Sequence, residues 1–242
     1  MDSHINNSNP YNICTLDKSS ACAACVDHGK IACKFDTRAK NTFSSAGMPA
    51  ALIPLMGFIL IGLFSGHWWI LVAYIAYFLI MFNVFEIRFL CSHCPYYPDN
   101  NKTLKFPGNY GSPKLWKYHP EPMNRFEKFM MRFSIIGMTF FILPLSGLAY
   151  GILYLGLNYS EFGLIPLGGM IALEVGSLVT SLSFVSVLNT YYCSKCVNFS
   201  CPYNTVPKIV VDDYLRKNKV MKEAWEKSGY VLDKPEIPIS KN

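Results

Sequence analysis

The chain has 242 residues, of which 51% are hydrophobic and 16% are charged, and its formal net charge is +6. This composition excludes an ordinary soluble domain, because the apolar residues are gathered into two long blocks that contain very few charges. The excess of basic residues does not indicate nucleic-acid binding, since in a chain with such blocks it acts as a signal for membrane orientation.

Residues 1–47 form a polar segment without the pattern of a cleavable signal peptide. Its four cysteines are Cys14, Cys22, Cys25 and Cys33. The central CxxC can hold one metal ion from a tight turn, and the two outer thiolates would complete a tetrahedral set. Because the segment is too short for a hydrophobic core, bound metal would supply much of its folding energy. The spacing leaves zinc and an iron–sulfur cluster equally open.

The first apolar block, residues 48–90, is long enough for two membrane passes, since a helix needs about 20 apolar residues to cross a bilayer. We place these spans near residues 48–66 and 68–90. Glu86 lies near the end of the block, where pairing with Arg88 or with water is expected.

Residues 91–132 begin with Cys91-x-x-Cys94, directly after the apolar block. We call a CxxC at the end of a predicted span a knuckle. The last part of this segment, from Pro122, is an amphipathic basic stretch that leads into the next block. Such a stretch suits the anionic inner leaflet of a lipid bilayer, so we predict a loop that lies against the membrane.

The second apolar block, residues 133–190, predicts two more spans, near 133–157 and 164–190. Glu174 is the acid that lies deep inside a span. Buried acids in membranes are costly and indicate proton or ion transfer, so Glu174 is a candidate catalytic residue. The alternative is a protonated Glu174 that hydrogen-bonds to a neighbouring Ser or Tyr.

Residues 191–242 contain a second knuckle, Cys193-x-x-Cys196, followed by Cys201 and a tail with helical character. Each knuckle ends a predicted helical hairpin, which indicates an internal repeat. The predicted fold is an all-α membrane protein with four transmembrane helices, arranged as two hairpins in a pseudo-repeat, with cytoplasmic cysteine-rich loops. The cysteines that would then converge at one surface are Cys91, Cys94, Cys193, Cys196 and Cys201.

The basic residues set the orientation. All 22 Lys and Arg lie before residue 48, between 88 and 132, or after 190, and the two predicted short turns contain none. By the positive-inside rule, this pattern predicts a multi-pass protein of the cell membrane with both termini and the middle loop in the cytoplasm. All nine cysteines then lie in a reducing compartment, so metal binding or thiol chemistry is favoured over a disulfide framework.

The endings Cys94-Pro95 and Cys201-Pro202 are typical of runs that bind iron–sulfur clusters, and Cys193, Cys196 and Cys201 form a tight triplet. We therefore predict an iron–sulfur cluster, of the 4Fe–4S type, at the membrane-proximal site. Zinc is the alternative, because tetrahedral zinc sites also use paired CxxC motifs.

Together these features predict an integral membrane redox protein that passes electrons as a subunit or partner of a membrane redox system. Its partners would be a cytoplasmic redox protein or other subunits, and a quinone-like acceptor in the bilayer. The alternative is a transporter or membrane scaffold with structural zinc sites, in which Glu174 is the transport acid. A thiol–disulfide enzyme is disfavoured, since it would need one reactive pair. No familiar nucleotide-binding or hydrolase motif occurs in the sequence.

Overall fold

The structure, a computed structural model, describes residues 9–17, 20 and 22–233. Within these residues the chain is mostly helical, and four of its helices are long and apolar enough to cross a membrane. These are Thr37–Ser65 (span 1), Trp69–His93 (span 2), Arg125–Leu157 (span 3) and Leu164–Lys195 (span 4). The prediction of a helical protein with four membrane-spanning segments is confirmed.

The outward faces of the spans are apolar. Leu157 and Ile165 are 77% and 88% exposed, and Leu63 and Val72 also point away from the protein. A soluble protein rarely exposes such a continuous apolar surface, whereas a lipid bilayer covers it. The structure therefore indicates a multi-pass membrane protein.

Two of the spans begin earlier than the hydropathy of the sequence indicates. Span 1 begins at Thr37 rather than near residue 48, because Asp36 caps it by accepting a hydrogen bond from the Arg38 backbone N–H at 2.8 Å. Span 3 begins at Arg125 rather than near residue 133, because Asn124 and Glu127 form a reciprocal capping box. The predicted basic stretch after Pro122 is therefore the first turn of a long helix.

The spans are not uniformly α-helical. Their α-helical stretches are α1 Thr37–Ser65, α2 Trp69–Ile80, α3 Glu86–Phe89, α4 Arg125–Met130, α5 Leu143–Leu157 and α7 Leu164–Val187, with α6 Tyr159–Phe162 in the turn between spans 3 and 4. The π-helical segments are Met81–Phe85, Met131–Ile142 and Leu188–Tyr192. Short 3₁₀ turns, Cys91–His93 and Cys193–Lys195, end spans 2 and 4. All three π segments lie toward the end of the bundle that carries the cysteines, which we call the cysteine end.

Close packing between spans 1 and 3 holds the bundle together. A Cβ atom on Gly147 would lie 2.5 Å from the Phe58 ring, and one on Gly151 would lie 2.7 Å from Ile61. Only glycine allows these contacts, so the Gly147–Gly151 pair serves helix packing within the chain.

At the cysteine end, the N-terminal segment, the middle loop and the C-terminal tail fold into one unit that we call the cap. Its regular elements are the 3₁₀ turn Cys22–Ala24, the antiparallel strands β1 Thr103–Lys105 and β2 Tyr110–Pro113, and the helices α8 Lys208–Lys217 and α9 Lys219–Lys227. Its hydrophobic core joins Ile31, Cys94, Val197, Tyr214 and Trp225. The N-terminal segment, the middle loop and the tail therefore share one core.

Candidate metal and ligand site at the cysteine end

A cavity of about 460 Å³ lies where the four spans meet the cap. Each span contributes to its wall, for example Phe43 from span 1, Phe82 from span 2, Ile135 from span 3 and Phe184 from span 4. Four cysteines also line it: Cys94, Cys193, Cys196 and Cys201. Thiols from two different hairpins thus face one shared space.

The two knuckles have the same backbone conformation. In each, a 3₁₀ turn is followed by an extended second cysteine, with φ −81° and ψ 136° at Cys94 and φ −73° and ψ 130° at Cys196. This conformation turns the second thiol away from the helix axis. It also leaves the backbone N–H groups that follow each cysteine free to bond its sulfur.

Backbone N–H groups lie beside three of the cavity thiols. The Asn198 N–H donates to the Cys196 sulfur at 3.4 Å. The N–H groups of Tyr96, near Cys94, and of Tyr203, near Cys201, partly offset the effect of burial by lowering the pKa of these thiols. Such donors stabilise a thiolate, and in iron–sulfur sites they help to set the reduction potential.

The cavity thiols lie close enough to affect one another's ionisation. Burial raises the pKa of the Cys201 thiol to about 12, and the neighbouring Cys196 and Cys193 add to the shift. Burial likewise raises the pKa of Cys94, with further contributions from Cys196 and Cys201. Cys94 and Cys201 therefore keep their protons at neutral pH unless a bound cation replaces them, which is how metal-binding thiols behave.

Cys91 differs from these four thiols in its surroundings. It is 1% exposed and packs in an apolar cluster with Ile87, Tyr97 and Leu104. It does not line the cavity. The structure therefore brings together four of the five membrane-proximal cysteines that the sequence singled out.

The four N-terminal cysteines also share one neighbourhood. Burial raises the pKa of the Cys33 thiol to about 12, and the charges of Cys14, Cys25 and Cys22 contribute to that shift in this order, followed by Asp27. Side chains contact the other three sulfurs: Asn218 donates to Cys14 at 3.3 Å, Lys217 donates to Cys25 at 3.1 Å, and the Ser20 hydroxyl shares a hydrogen bond with Cys22 at 3.2 Å. The tail helices thus hold the N-terminal thiols in place.

The two cysteine groups are neighbours. The backbone N–H of Ala32 donates to the Lys195 carbonyl at 2.7 Å, and the Tyr96 hydroxyl donates to the Ala32 carbonyl. Burial raises the pKa of Tyr96, and the thiols of Cys94, Cys196 and Cys33 each raise it further. Tyr96 therefore lies between the N-terminal thiols and the cavity thiols.

All nine cysteines are free thiols. Within residues 9–17, 20 and 22–233, no three Cys, His, Asp or Glu side chains converge on a point that could hold a single metal ion. The thiols therefore surround shared space without forming a ready single-ion site.

Glu86 is a site residue that the sequence reasoning missed. Arg88 does not pair with it: the Arg88 guanidinium lies 3.2 Å from Glu127 Oε1. Glu86 is 4% exposed, lines the cavity, and accepts a hydrogen bond from the Asn109 amide at 3.3 Å. Its position five residues before a knuckle was the available signal, but the nearby arginine suggested an ordinary surface pair.

Glu174 lies in the middle of α7 and does not line the cavity. Its Oε2 atom is buried and has no hydrogen-bond partner in the described part of the chain. Ser177 and Ser181 lie on the same helix face, and their buried hydroxyls also lack partners there. The hydrogen bond from Glu174 to a Ser or Tyr, which was the alternative to a functional role, is therefore not formed among these residues.

No protein family, curated protein or solved structure matches this chain.

Proposed function

We propose that this protein is an integral membrane redox protein with two cysteine-ligated iron–sulfur centres, which passes electrons as a subunit or partner of a membrane redox system. The cavity centre is held by Cys94, Cys193, Cys196 and Cys201. The N-terminal centre is held by Cys14, Cys22, Cys25 and Cys33. The observation that carries the proposal is that thiols from two separate hairpins line one cavity at the end of the bundle.

The surroundings of the thiols favour an iron–sulfur cluster over zinc. The Cys-Pro endings and the backbone N–H groups beside the sulfurs suit a cluster, which supplies reversible one-electron transfer when bound. The described thiols do not converge on one point, so binding of either group would have to draw them together.

The adjacency of the two groups supports an electron path toward the membrane. The N-terminal thiols lie in the cap, within reach of a cytoplasmic redox protein or another subunit. The cavity thiols lie at the ends of the spans, beside the bilayer. Tyr96 and the Ala32–Lys195 hydrogen bond connect the two groups directly. Electrons from a soluble donor can therefore approach the bilayer through the cap.

The proposal includes a pseudo-repeat and an orientation. Each knuckle begins with a 3₁₀ turn at the end of a span that contains a π segment, and both second cysteines are extended, which supports a repeated hairpin unit. The opposite turns, at residues 66–68 and 158–163, contain no Lys or Arg. With the basic residues gathered at the cysteine end, the positive-inside rule places that end and both termini in the cytoplasm.

Metal analysis of anaerobically purified protein tests the proposal. We expect iron and acid-labile sulfide, and an electron paramagnetic resonance signal that changes on reduction with dithionite. Cys94→Ser and Cys196→Ser should each remove the cavity centre, and the double variant should lose little more than either single variant, because the four thiols act as one unit. The N-terminal centre should survive in all three variants.

Cys91→Ser is the matched control, since Cys91 lies in the same knuckle as Cys94 but outside the cavity. It should retain both centres. Equal loss of metal in Cys91→Ser and Cys94→Ser would contradict the ligand set. Zinc without iron would move the protein to the transporter or scaffold class, and absence of metal in the unmodified protein would favour thiol chemistry.

A further inference from the structure

The cavity extends from the cysteine end well into the membrane-spanning bundle. Its wall runs from the four thiols to Phe78 in span 2 and Phe184 in span 4. Phe78 precedes Cys91 by roughly 20 Å of helix. The volume of about 460 Å³ falls in the range of small-ligand sites. An occupant would therefore lie partly in the apolar layer and partly beside the thiols.

Aromatic side chains form much of the wall. All four spans and the middle loop contribute phenylalanines, which are Phe43, Phe82, Phe140, Phe184 and, from the loop, Phe106. Flat aromatic faces favour a flat ring by offset stacking or edge contacts. The wall therefore suits a planar apolar ring.

A buried acid faces the same space. Glu86 lines the cavity, and its Oε1 atom lies 3.1 Å from the position that a Cβ atom on Gly108, another lining residue, would occupy. Asn109 donates to the other carboxyl oxygen. Burial of an acid in an apolar site is costly, so such an acid in a membrane protein indicates a role in ligand binding or proton transfer. A lipid acyl chain offers it no hydrogen bond, whereas a ring carbonyl accepts one.

Departures from α-helical geometry coincide with the cavity. Phe82 lies in the first π segment, Ile135 and Phe140 lie in the second, and Leu188 lies in the third, and all four line the cavity. π segments inside α-helices occur frequently at functional sites, because they widen and redirect the helix face. Three spans thus deviate at the positions where they surround this space.

We propose that the cavity binds the ring of a membrane quinone and that Glu86 donates a hydrogen bond to one ring carbonyl. Reduction to the quinol consumes two electrons and two protons. Protonated Glu86 passes one proton to the carbonyl oxygen that it contacts, and water supplies the second proton to the opposite carbonyl oxygen. Water then reprotonates Glu86. The electrons come from a one-electron carrier on the thiol side, and for this source alone the inference rests on the proposed function.

Binding of menadione, a soluble quinone, to the purified full-length protein tests the site. Ala51→Phe places a ring at the cavity wall, whereas Ala76→Phe adds the same ring on an exposed face of α2 outside the cavity. We expect Ala51→Phe to weaken binding at least about tenfold and Ala76→Phe to change it less than about twofold. An arylazide derivative of menadione should label residues of the cavity wall.

Variants of Glu86 separate binding from proton transfer. Glu86→Leu should weaken menadione binding about tenfold, because it removes the hydrogen-bond donor. Glu86→Gln keeps a donor, so it should bind within a few-fold of the unmodified protein but reduce menadione at least about tenfold more slowly. Glu161→Leu, in the exposed turn at the opposite end, is the matched control and should bind normally.

Equal binding in all these variants, or labelling outside the cavity, would overturn the inference. The inference would also fail if phospholipid displaced menadione equally well from the unmodified protein and from the Glu86→Leu variant, because the cavity would then be a lipid site. Metal analysis of the same samples distinguishes the two proposals. Iron and sulfide without menadione binding would defeat only the quinone site, whereas menadione binding to a metal-free protein would defeat only the proposed function.

Discussion

The backbone N–H of Ala32 donates to the carbonyl oxygen of Lys195 at 2.7 Å. Ala32 precedes Cys33 of the N-terminal group, and Lys195 precedes Cys196 of the cavity group. One main-chain hydrogen bond therefore fixes the position of one thiol group relative to the other. Tyr96 strengthens this junction by donating its hydroxyl to the Ala32 carbonyl.

Removal of the Tyr96 hydroxyl should loosen the N-terminal segment. Tyr96→Phe deletes one hydrogen bond, which contributes roughly 1 kcal/mol. We expect faster amide hydrogen exchange at Ala32 and Cys33, with little change in the spans. Tyr159→Phe, an exposed tyrosine at the opposite end of the bundle, is the control. Unchanged exchange at Ala32 would show that the junction does not depend on Tyr96.

Lys217 should tune the N-terminal centre. Its ammonium group lies 3.1 Å from the Cys25 sulfur and 2.6 Å from the buried Asp27 carboxylate. A nearby positive charge stabilises the reduced state of a centre, so Lys217→Met should lower its midpoint potential and leave the cavity centre unchanged. Potentiometric titration monitored by electron paramagnetic resonance measures both.

The neighbouring Lys219 provides the control for this effect. Lys219→Met removes the same charge from a side chain that is 87% exposed and pairs loosely with Glu223. Its effect should be small because solvent screens exposed charges. An equal shift in both variants would show that net charge, rather than the contact with Cys25, controls the potential.

The spans and the common side of the cysteines were predictable from the sequence, because long apolar stretches and basic flanks are local signals. The helix starts were not, since Asp36 and Asn124 extend the helices through polar turns that a hydropathy pattern reads as loop. The nearness of Arg88 in the sequence also led to a wrong expectation, namely that Glu86 pairs with it. Positions two apart on a helix face different directions, so Arg88 turns to Glu127 and Glu86 turns to the cavity.

The choice among the membrane-proximal cysteines was likewise beyond the sequence. Cys91 and Cys94 differ because one lies in the 3₁₀ turn and the other has left it in an extended conformation. Their thiols therefore enter different surroundings. The cavity itself depends on contacts among all four spans and on the π segments, for which the sequence carries no simple pattern.

The β1–β2 hairpin of the cap should lose stability in acid. Burial alone would raise the pKa of Asp99, but hydrogen bonds from Lys114 and Asn101 and the charges of Lys114 and Lys105 outweigh it and lower the pKa. A lowered pKa means that the stabilisation is present above the unfolded-state value of about 3.9 and is lost as pH falls through the folded-state value.

The test compares Asp99→Asn with the unmodified protein by amide hydrogen exchange of the hairpin strands. The unmodified hairpin should exchange more slowly at about pH 6, and the difference should shrink below about pH 4 as Asp99 becomes protonated. Lys114→Gln should reproduce the loss at neutral pH. A difference that persists unchanged into acid would exclude the Asp99 ion pairs as its cause.

Membrane orientation can be tested with added cysteines in sealed, right-side-out vesicles. Ser160→Cys lies in the exposed turn between spans 3 and 4, and Ala23→Cys lies exposed in the cap. We expect an impermeant thiol reagent to label Ser160→Cys from outside and Ala23→Cys only after permeabilisation, because the basic residues lie with the cap. The nine native cysteines should not react from outside, and the reverse pattern would invert the orientation.

Glu174 should affect turnover without affecting assembly. Its Oε2 atom is buried without a hydrogen-bond partner in the described residues, so it is poised for a proton or ion more than for a structural bond. Glu174→Gln keeps the shape but removes the ionisable group. We expect normal yield and metal content with slower menadione reduction, or with loss of coupled proton movement in vesicles.

Ser177→Ala, which removes the adjacent unpaired hydroxyl, is the matched control for a change in packing. Full activity of Glu174→Gln would make Glu174 a packing residue and leave proton delivery to Glu86.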